Sequence, residues 1–250
     1  MDGNKELITA QALAEALNFS VETIWRYTRE NRIPYVELGN RQYRYNLADV
    51  MRRLTGSVQE TKSSYKSKGS TEYTYQDYLE MPEEPGYSFE ILDGVLIKEP
   101  APNVPHQRAS RRLQRILEDY FWEKDPEGEV FNSPLDVTFG DRTVVQPDLL
   151  YVSGAQKDIV HHTRIDGPPT LVVEIMSPST GRKDRLLKMG IYQRAGVKHY
   201  WLVSPEDKTM ECFALKDGVY ALVASGMDDD RVEPPDFSGL VMDLAKICGN

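Results

Sequence analysis

The stretch TLVVEIM, residues 170–176, constrains the fold more than any other part of the chain. Leu171, Val172 and Val173 form an apolar run that Glu174 breaks and Ile175 and Met176 resume. A short run of this kind, rich in β-branched residues, reads as a buried strand. A second one, TVVQPDLLYV at 143–152, is interrupted by Pro147 and Asp148. Pro removes a donor from a β-ladder, so the chain is expected to bend or bulge there, at a sheet edge or a functional rim.

The two carboxylates then need an explanation. An isolated buried charge costs several kcal/mol, so Asp148 and Glu174 must be paired, neutral, bound to a metal or placed at a strand end. Acids on adjacent strands suit a divalent cation that takes hard oxygen ligands and keeps several waters. In the following helix, RKDRLLKMGIYQRAG, the residues Asp184, Lys188 and Tyr192 recur every four positions and share a face that can look back at Glu174. Two accounts of Lys188 stand: an ammonium that stabilises charge on an attacked phosphate, or a solvated residue paired with Asp184.

Around these strands the pattern is mixed α/β. YSFEILDGVLIKEP is a hairpin turned at Asp93-Gly94, and ECFALKDGVYALVA another turned at Asp217-Gly218. From Pro105 to Lys124, Ala109, Leu113, Ile116, Leu117, Tyr120 and Phe121 line one helical face, with Arg108, Arg111, Arg112 and Arg115 outside. His106 opens this helix and is a candidate phosphate-binding residue. KHYWLV is a further strand, whose Tyr200 and Trp201 are read as packing groups.

The beginning of the chain differs in charge and pattern. Residues 1–70 hold 11 Lys and Arg against 8 Asp and Glu, whereas residues 71–250 hold 19 against 31. The basic piece is the better polyanion binder. Residues 56–72, rich in Ser, Lys, Gly and Thr, read as a flexible linker dividing residues 1–55 from residues 73–250. Before it, Thr9 caps one short helix and Ser20 a second, Pro34 stops the second, and a hairpin wing and a closing helix follow. This stretch resembles the small winged helix-turn-helix domains of the MerR and excisionase group. The resemblance implies double-stranded DNA as partner, with Ser20, Thr23, Arg26 and Arg29 on the helix entering the major groove and Arg41 and Arg44 on the wing.

The rest carries a second resemblance. PD on one strand and Glu on the next resemble the PD-(D/E)XK fold of restriction endonucleases. YSFEILDG, His106, PDLLYVS, PPTLVVEIMSPST, Asp184, Lys188, Tyr192 and GVKHYWLV together resemble the Uma family within it, over roughly residues 72–245. The resemblance implies a restriction-endonuclease-like mixed sheet flanked by helices and a Mg2+-dependent DNA endonuclease, with Mn2+ as the other candidate ion. Asp148, Glu174 and the Ile175 carbonyl would hold the ion, Glu90 would be an auxiliary acid and Lys188 the catalytic cation. One departure matters: the usual lysine position, two residues after the Glu, is Met176. That departure, with the acidity of residues 71–250, keeps open a regulator that retains the nuclease fold as a dimerisation or sensing module. A homodimer is expected for a protein reading symmetric sites.

A chain of 250 residues with 40% hydrophobic and 28% charged side chains has room for one large domain and a smaller one. No window approaches eighteen consecutive apolar residues, and MDGNKELITAQ lacks the pattern of a secretion signal, so no membrane partner and a cytoplasmic location are expected. Cys212 and Cys248, far apart and outside any zinc-like spacing, are expected to be buried thiols.

Overall fold

The first helix, α1 (Ala10–Leu17), begins where the Thr9 hydroxyl accepts from Ala12 N at 3.1 Å. The computed structural model describes residues 7–17, 19–29, 32–38, 42–54, 72–177 and 184–249. Helix α2 (Val21–Arg29) is capped by Ser20, whose hydroxyl accepts from Thr23 N at 3.2 Å. Leu13, Ala14 and Leu17 of α1 and Ile24 of α2 are buried. Strands β1 (Val36–Glu37) and β2 (Tyr43–Arg44) pair antiparallel, Val36 opposite Arg44, and form the wing. Helix α3 (Leu47–Leu54) follows, its start held by Asn46, which accepts from Asp49 N. Buried Thr28 joins the parts: its hydroxyl donates to the Ile24 carbonyl and lies 2.7 Å from the Tyr45 hydroxyl. Arg41 and all of the expected linker except Glu72 lie outside the described residues.

The larger part starts with α4 (Tyr75–Leu79), closed by a capping box between Thr74 and Asp77. The hairpin β3 (Tyr87–Leu92) and β4 (Val95–Pro100) turns at Asp93-Gly94, with φ of 50° and 83°, the left-handed pair that a two-residue turn requires. Helix α5 (Val104–Lys124) is capped by Asn103 and buries Ala109, Leu113, Leu117 and Phe121, four residues apart. Then come β5 (Glu129–Asn132), β6 (Asp136–Thr138), β7 (Val144–Val145) and β8 (Leu149–Val152). A short 3₁₀ helix (Gly154–Ile159) leads to β9 (Arg164–Asp166) and β10 (Leu171–Ile175). A π-helical turn (Asp184–Lys188) runs into α6 (Met189–Ala195), which stops at Gly196 with φ of 87°. The chain closes with β11 (His199–Ser204), β12 (Thr209–Lys216), β13 (Val219–Met227), β14 (Arg231–Val232), β15 (Met242–Asp243) and α7 (Leu244–Cys248).

These strands build one six-stranded sheet, in the order β13-β12-β11-β10-β8-β5, and one five-stranded sheet, β4-β3-β7-β6-β9, besides the small pair β14-β15. The architecture is the expected mixed α/β one, with the strands shared between two sheets. The parallel pair β10 and β11 lies inside the larger sheet, and every residue of β10 is buried. Its odd residues, Leu171, Val173 and Ile175, face the apolar side of α5 together with Trp201 and Val203. Val172 and Met176 pack on the opposite side with Leu187, Ile191 and Tyr192. Tyr200 and Trp201 are fully buried, and Cys212 is buried while Cys248 is only partly so.

Two segments cross between the sheets. EVFNSPLDVTF leaves the larger sheet after β5 and enters the smaller one at β6, and TVVQPDLLYV returns from β7 to β8. Pro147 sits in the second crossing, where no ladder donor is lost. Strand β7 pairs with β3 through Ile91 and Val144, which brings Glu90 of the smaller sheet beside the QPD segment.

Candidate active site

Four acidic or basic side chains from four segments converge at this junction. The Lys188 ammonium lies 2.7 Å from Glu90 Oε1 and 2.9 Å from Glu174 Oε1. All three are buried, the lysine side chain 3% exposed. The Tyr192 hydroxyl, one helical turn beyond Lys188, donates to Glu174 Oε1 at 2.7 Å. Glu90 Oε1 also accepts from the backbone N–H of Gln146 at 2.8 Å. Glu174 is thus tolerated in a buried strand because a cation and a hydroxyl meet it there.

Asp148 stands at the mouth. Its Oδ2 accepts from the Ile175 N–H at 2.7 Å, which ties the carboxylate to the residue after Glu174. Its Oδ1 lies 3.1 Å from His106 Nε2 in the first turn of α5. The Asp148 side chain is 18% exposed, so it faces water while Glu90 and Glu174 do not. Continuing the antiparallel register of Val173 opposite Leu149 by one residue sets Asp148 across from Glu174.

The sequence-derived residues of this domain therefore come together. Asp148, Glu174, Ile175, Lys188 and Glu90 form one site, and His106 adjoins it through Asp148. Lys188 is buried rather than solvated, and the Glu90 side chain is 2% exposed. On the helix-turn-helix, Ser20, Arg26 and Arg29 are exposed and Thr23 and Arg44 partly so. Trp25 joins them, 48% exposed. Three participants went unread in the sequence. Gln146 Nε2 donates to Asp136 Oδ1 at 2.9 Å and to the Tyr78 hydroxyl at 3.0 Å, and Tyr78 donates to Asp136 at 2.8 Å. Burial and then the Asp136 charge push the Tyr78 phenol well above its ordinary pKa, so it stays a donor. Asp136 in the apolar PLDVTF run was the signal available; Tyr78 left none.

The donor set fits a divalent cation. The formal charges of Glu90, Asp148, Glu174 and Lys188 sum to −2, and the candidate ligands are hard oxygens. Among the described residues no group of three or more His, Cys, Asp or Glu is placed to hold an ion. An ion here would have two carboxylates, with water and substrate completing its sphere, as Mg2+ commonly does.

Residues 75–245 match the family profile of Uma2, described as "Putative restriction endonuclease". The chain belongs to the Uma2 family. Residues 7–57 of this Uma2 protein match a second profile, described as "Helix-turn-helix domain". Among solved structures it is similar to one titled as a putative nuclease from Anabaena variabilis ATCC 29413, with a TM-score of 0.57 and 19% identity, over 70% of this chain and 97% of that one. That likeness concerns the fold. No curated protein matches. Among the described residues, no helix is long and apolar enough to cross a membrane.

Proposed function

We propose that this Uma2 protein is a metal-dependent DNA endonuclease, delivered to duplex DNA by its helix-turn-helix domain. The observation that carries the reading is the lysine held between two buried carboxylates beside a third, water-facing one. Asp148, Glu174 and the Ile175 carbonyl would hold Mg2+ or Mn2+. The ion, when bound, would supply Lewis-acid charge at the phosphate under attack.

The chain's own groups do the rest. Lys188 presents an ammonium, fixed by two ion pairs, to negative charge developing on the phosphate. Tyr192 and the Gln146 N–H hold the two glutamates in place, so the lysine is aimed before substrate arrives. Asp148, with the Ile175 N–H on one oxygen and His106 on the other, keeps a fixed orientation at the open end of the site. Ser20, Thr23, Arg26, Arg29, Arg41 and Arg44 are the residues proposed to contact DNA. The expected workplace is the cytoplasm and the expected assembly a homodimer.

Met176 at the usual lysine position favours a second reading, a non-cutting regulator. A plasmid cleavage assay with Mg2+ or Mn2+ separates the two. Wild type should cut, and chelator, Asp148→Ala and Glu174→Gln should each reduce cutting at least a hundredfold with the fold retained. Cutting by Asp148→Ala at the wild-type rate would refute the site, and no cutting by wild type with either ion would favour the regulator.

A further inference from the structure

The outer face of α5 carries an arginine row that neither the site nor the fold uses. Arg108, Arg111 and Arg115 are exposed and follow one another at i, i+3 and i+7, so they line one face of the helix. Arg112 is not part of it, because its guanidinium donates to the Ile247 and Gly249 carbonyls at the end of α7.

Four other surface arginines of this domain are neutralised, Arg142 by Glu72, Arg164 by Asp166, Arg185 by Glu211 and Arg194 by Asp93, while the exposed Arg231 stands singly without an ion pair among the described residues. Among the described residues Arg108 and Arg111 have no ion pair, and Arg115 has only an exposed contact of 3.9 Å with Asp119. The row also works against its own helix. Like charges three and four residues apart repel, and a helix favours acids near its start and bases near its end. Helix α5 has the reverse gradient, with four arginines and no acid through Arg115, then Glu118, Asp119 and Glu123 with Lys124. A domain with an excess of acids that keeps an unneutralised cationic stripe in an unfavourable place is under a demand other than folding.

We infer that this row is a track for the phosphodiester backbone of duplex DNA along the outer face of α5. The inference rests on the endonuclease reading and deepens it. The stripe lies on the side of α5 opposite His106 and the buried face, so it holds a duplex from outside the helix and does not line the mouth at Asp148. From Arg108 to Arg115 the helix rises about 10.5 Å, roughly the axial length of three base pairs. An open depression lined by Asn103, Val104, Gln107, Arg108 and Arg111 adjoins the row on the same side. Phosphate contacts of this kind position a duplex without reading its sequence, which leaves selectivity to the helix-turn-helix.

The test is binding of a fluorescein-labelled 20-base-pair duplex of arbitrary sequence to the full chain in chelator, titrated at several salt concentrations. Each phosphate contact contributes about 0.9 to the slope of log affinity against log salt. Replacing Arg108, Arg111 and Arg115 together by Gln should lower that slope by about 2 to 3 and weaken binding at least tenfold in 0.1 M salt. A control with Glu118→Gln, Asp119→Asn and Glu123→Gln on the same helix should not lower the slope. A change below 1 in the arginine variant, with its melting temperature retained, would overturn the track. Cleavage measured on the same samples with Mg2+ keeps the two readings apart. A wild type that does not cut, while the slope still falls in the variant, counts against the endonuclease and not against the track.

Discussion

Replacing Lys188 by Met tests the centre of the argument, because it removes one charge and little volume from a site that has been taken out of water. The ammonium contacts Glu90 at 2.7 Å and Glu174 at 2.9 Å with 3% of its side chain exposed, so solvent screening is minor. Removing one partner of a buried pair leaves an uncompensated charge and costs about 3–5 kcal/mol. For a domain of this size that lowers the melting temperature by about 6–20 °C. The two carboxylates would then be like charges in a dry site, and one would take up a proton rather than stay ionised. Folding would gain a proton that the unfolded chain does not hold near neutral pH, so the loss must grow as pH rises. Urea unfolding of wild type and Lys188→Met at pH 5.5 and pH 8 measures this. Adding Glu90→Gln and Glu174→Gln to Lys188→Met removes both orphaned charges and should restore most of the stability while cleavage stays absent. A loss below 1 kcal/mol at pH 8, or no recovery in the triple variant, would refute the reasoning.

Two further outcomes follow from single contacts. Tyr192→Phe deletes the 2.7 Å donor to Glu174 but leaves the lysine, so it should cost about 1–3 kcal/mol, less than Lys188→Met, read from the urea midpoint. Burial lowers the His199 pKa below the ordinary histidine value, opposed by Asp236 and aided by Lys198. The unfolded chain therefore takes up this proton first as pH falls, and stability should drop from about pH 6.5 downward and level off below the folded value. His199→Gln should flatten that part of the profile of melting temperature against pH; an unchanged profile would remove His199 as the cause.

How much of this was legible in the sequence depended on whether the signal was local. The Asp93-Gly94 and Asp217-Gly218 hairpins, the face of α5 and the caps at Thr9 and Ser20 are decided within a few residues, and they stand where expected. The candidate site residues Asp148 and Glu174 were visible because a charge inside an apolar run must be paired, neutralised, bound to a metal or placed at a strand end. The division into two sheets was not legible. Both crossing segments, EVFNSPLDVTF and TVVQPDLLYV, keep a strand pattern on either side of the crossing, and only pairing partners far along the chain decide which sheet each half joins. The same limit hid Tyr78, which meets Asp136 across 58 residues of sequence. The π-helical turn before α6 was also unread, since its apolar spacing differs little from that of an α-helix over one turn.

Met176, which stands at the usual lysine position of the PD-(D/E)XK pattern, has a physical account in the finished site. It lies on the same face of the strand as Val172 and Glu174, 7% exposed, packed with Leu187, Ile191 and Tyr192. A lysine there would bring a second ammonium to a face where Lys188 already contacts both glutamates. Two ammoniums and two carboxylates would leave Glu90 and Glu174 no net negative charge to offer a cation, and a second long side chain would need burial among aliphatic groups. With the charge supplied from the helix, the strand position is free to be apolar and to pack the turn that carries Lys188. Met176 and Lys188 are on this account one arrangement: the methionine supports the segment that delivers the lysine. On the proposed endonuclease reading, the apolar residue at this strand position is what a lysine supplied from the helix requires.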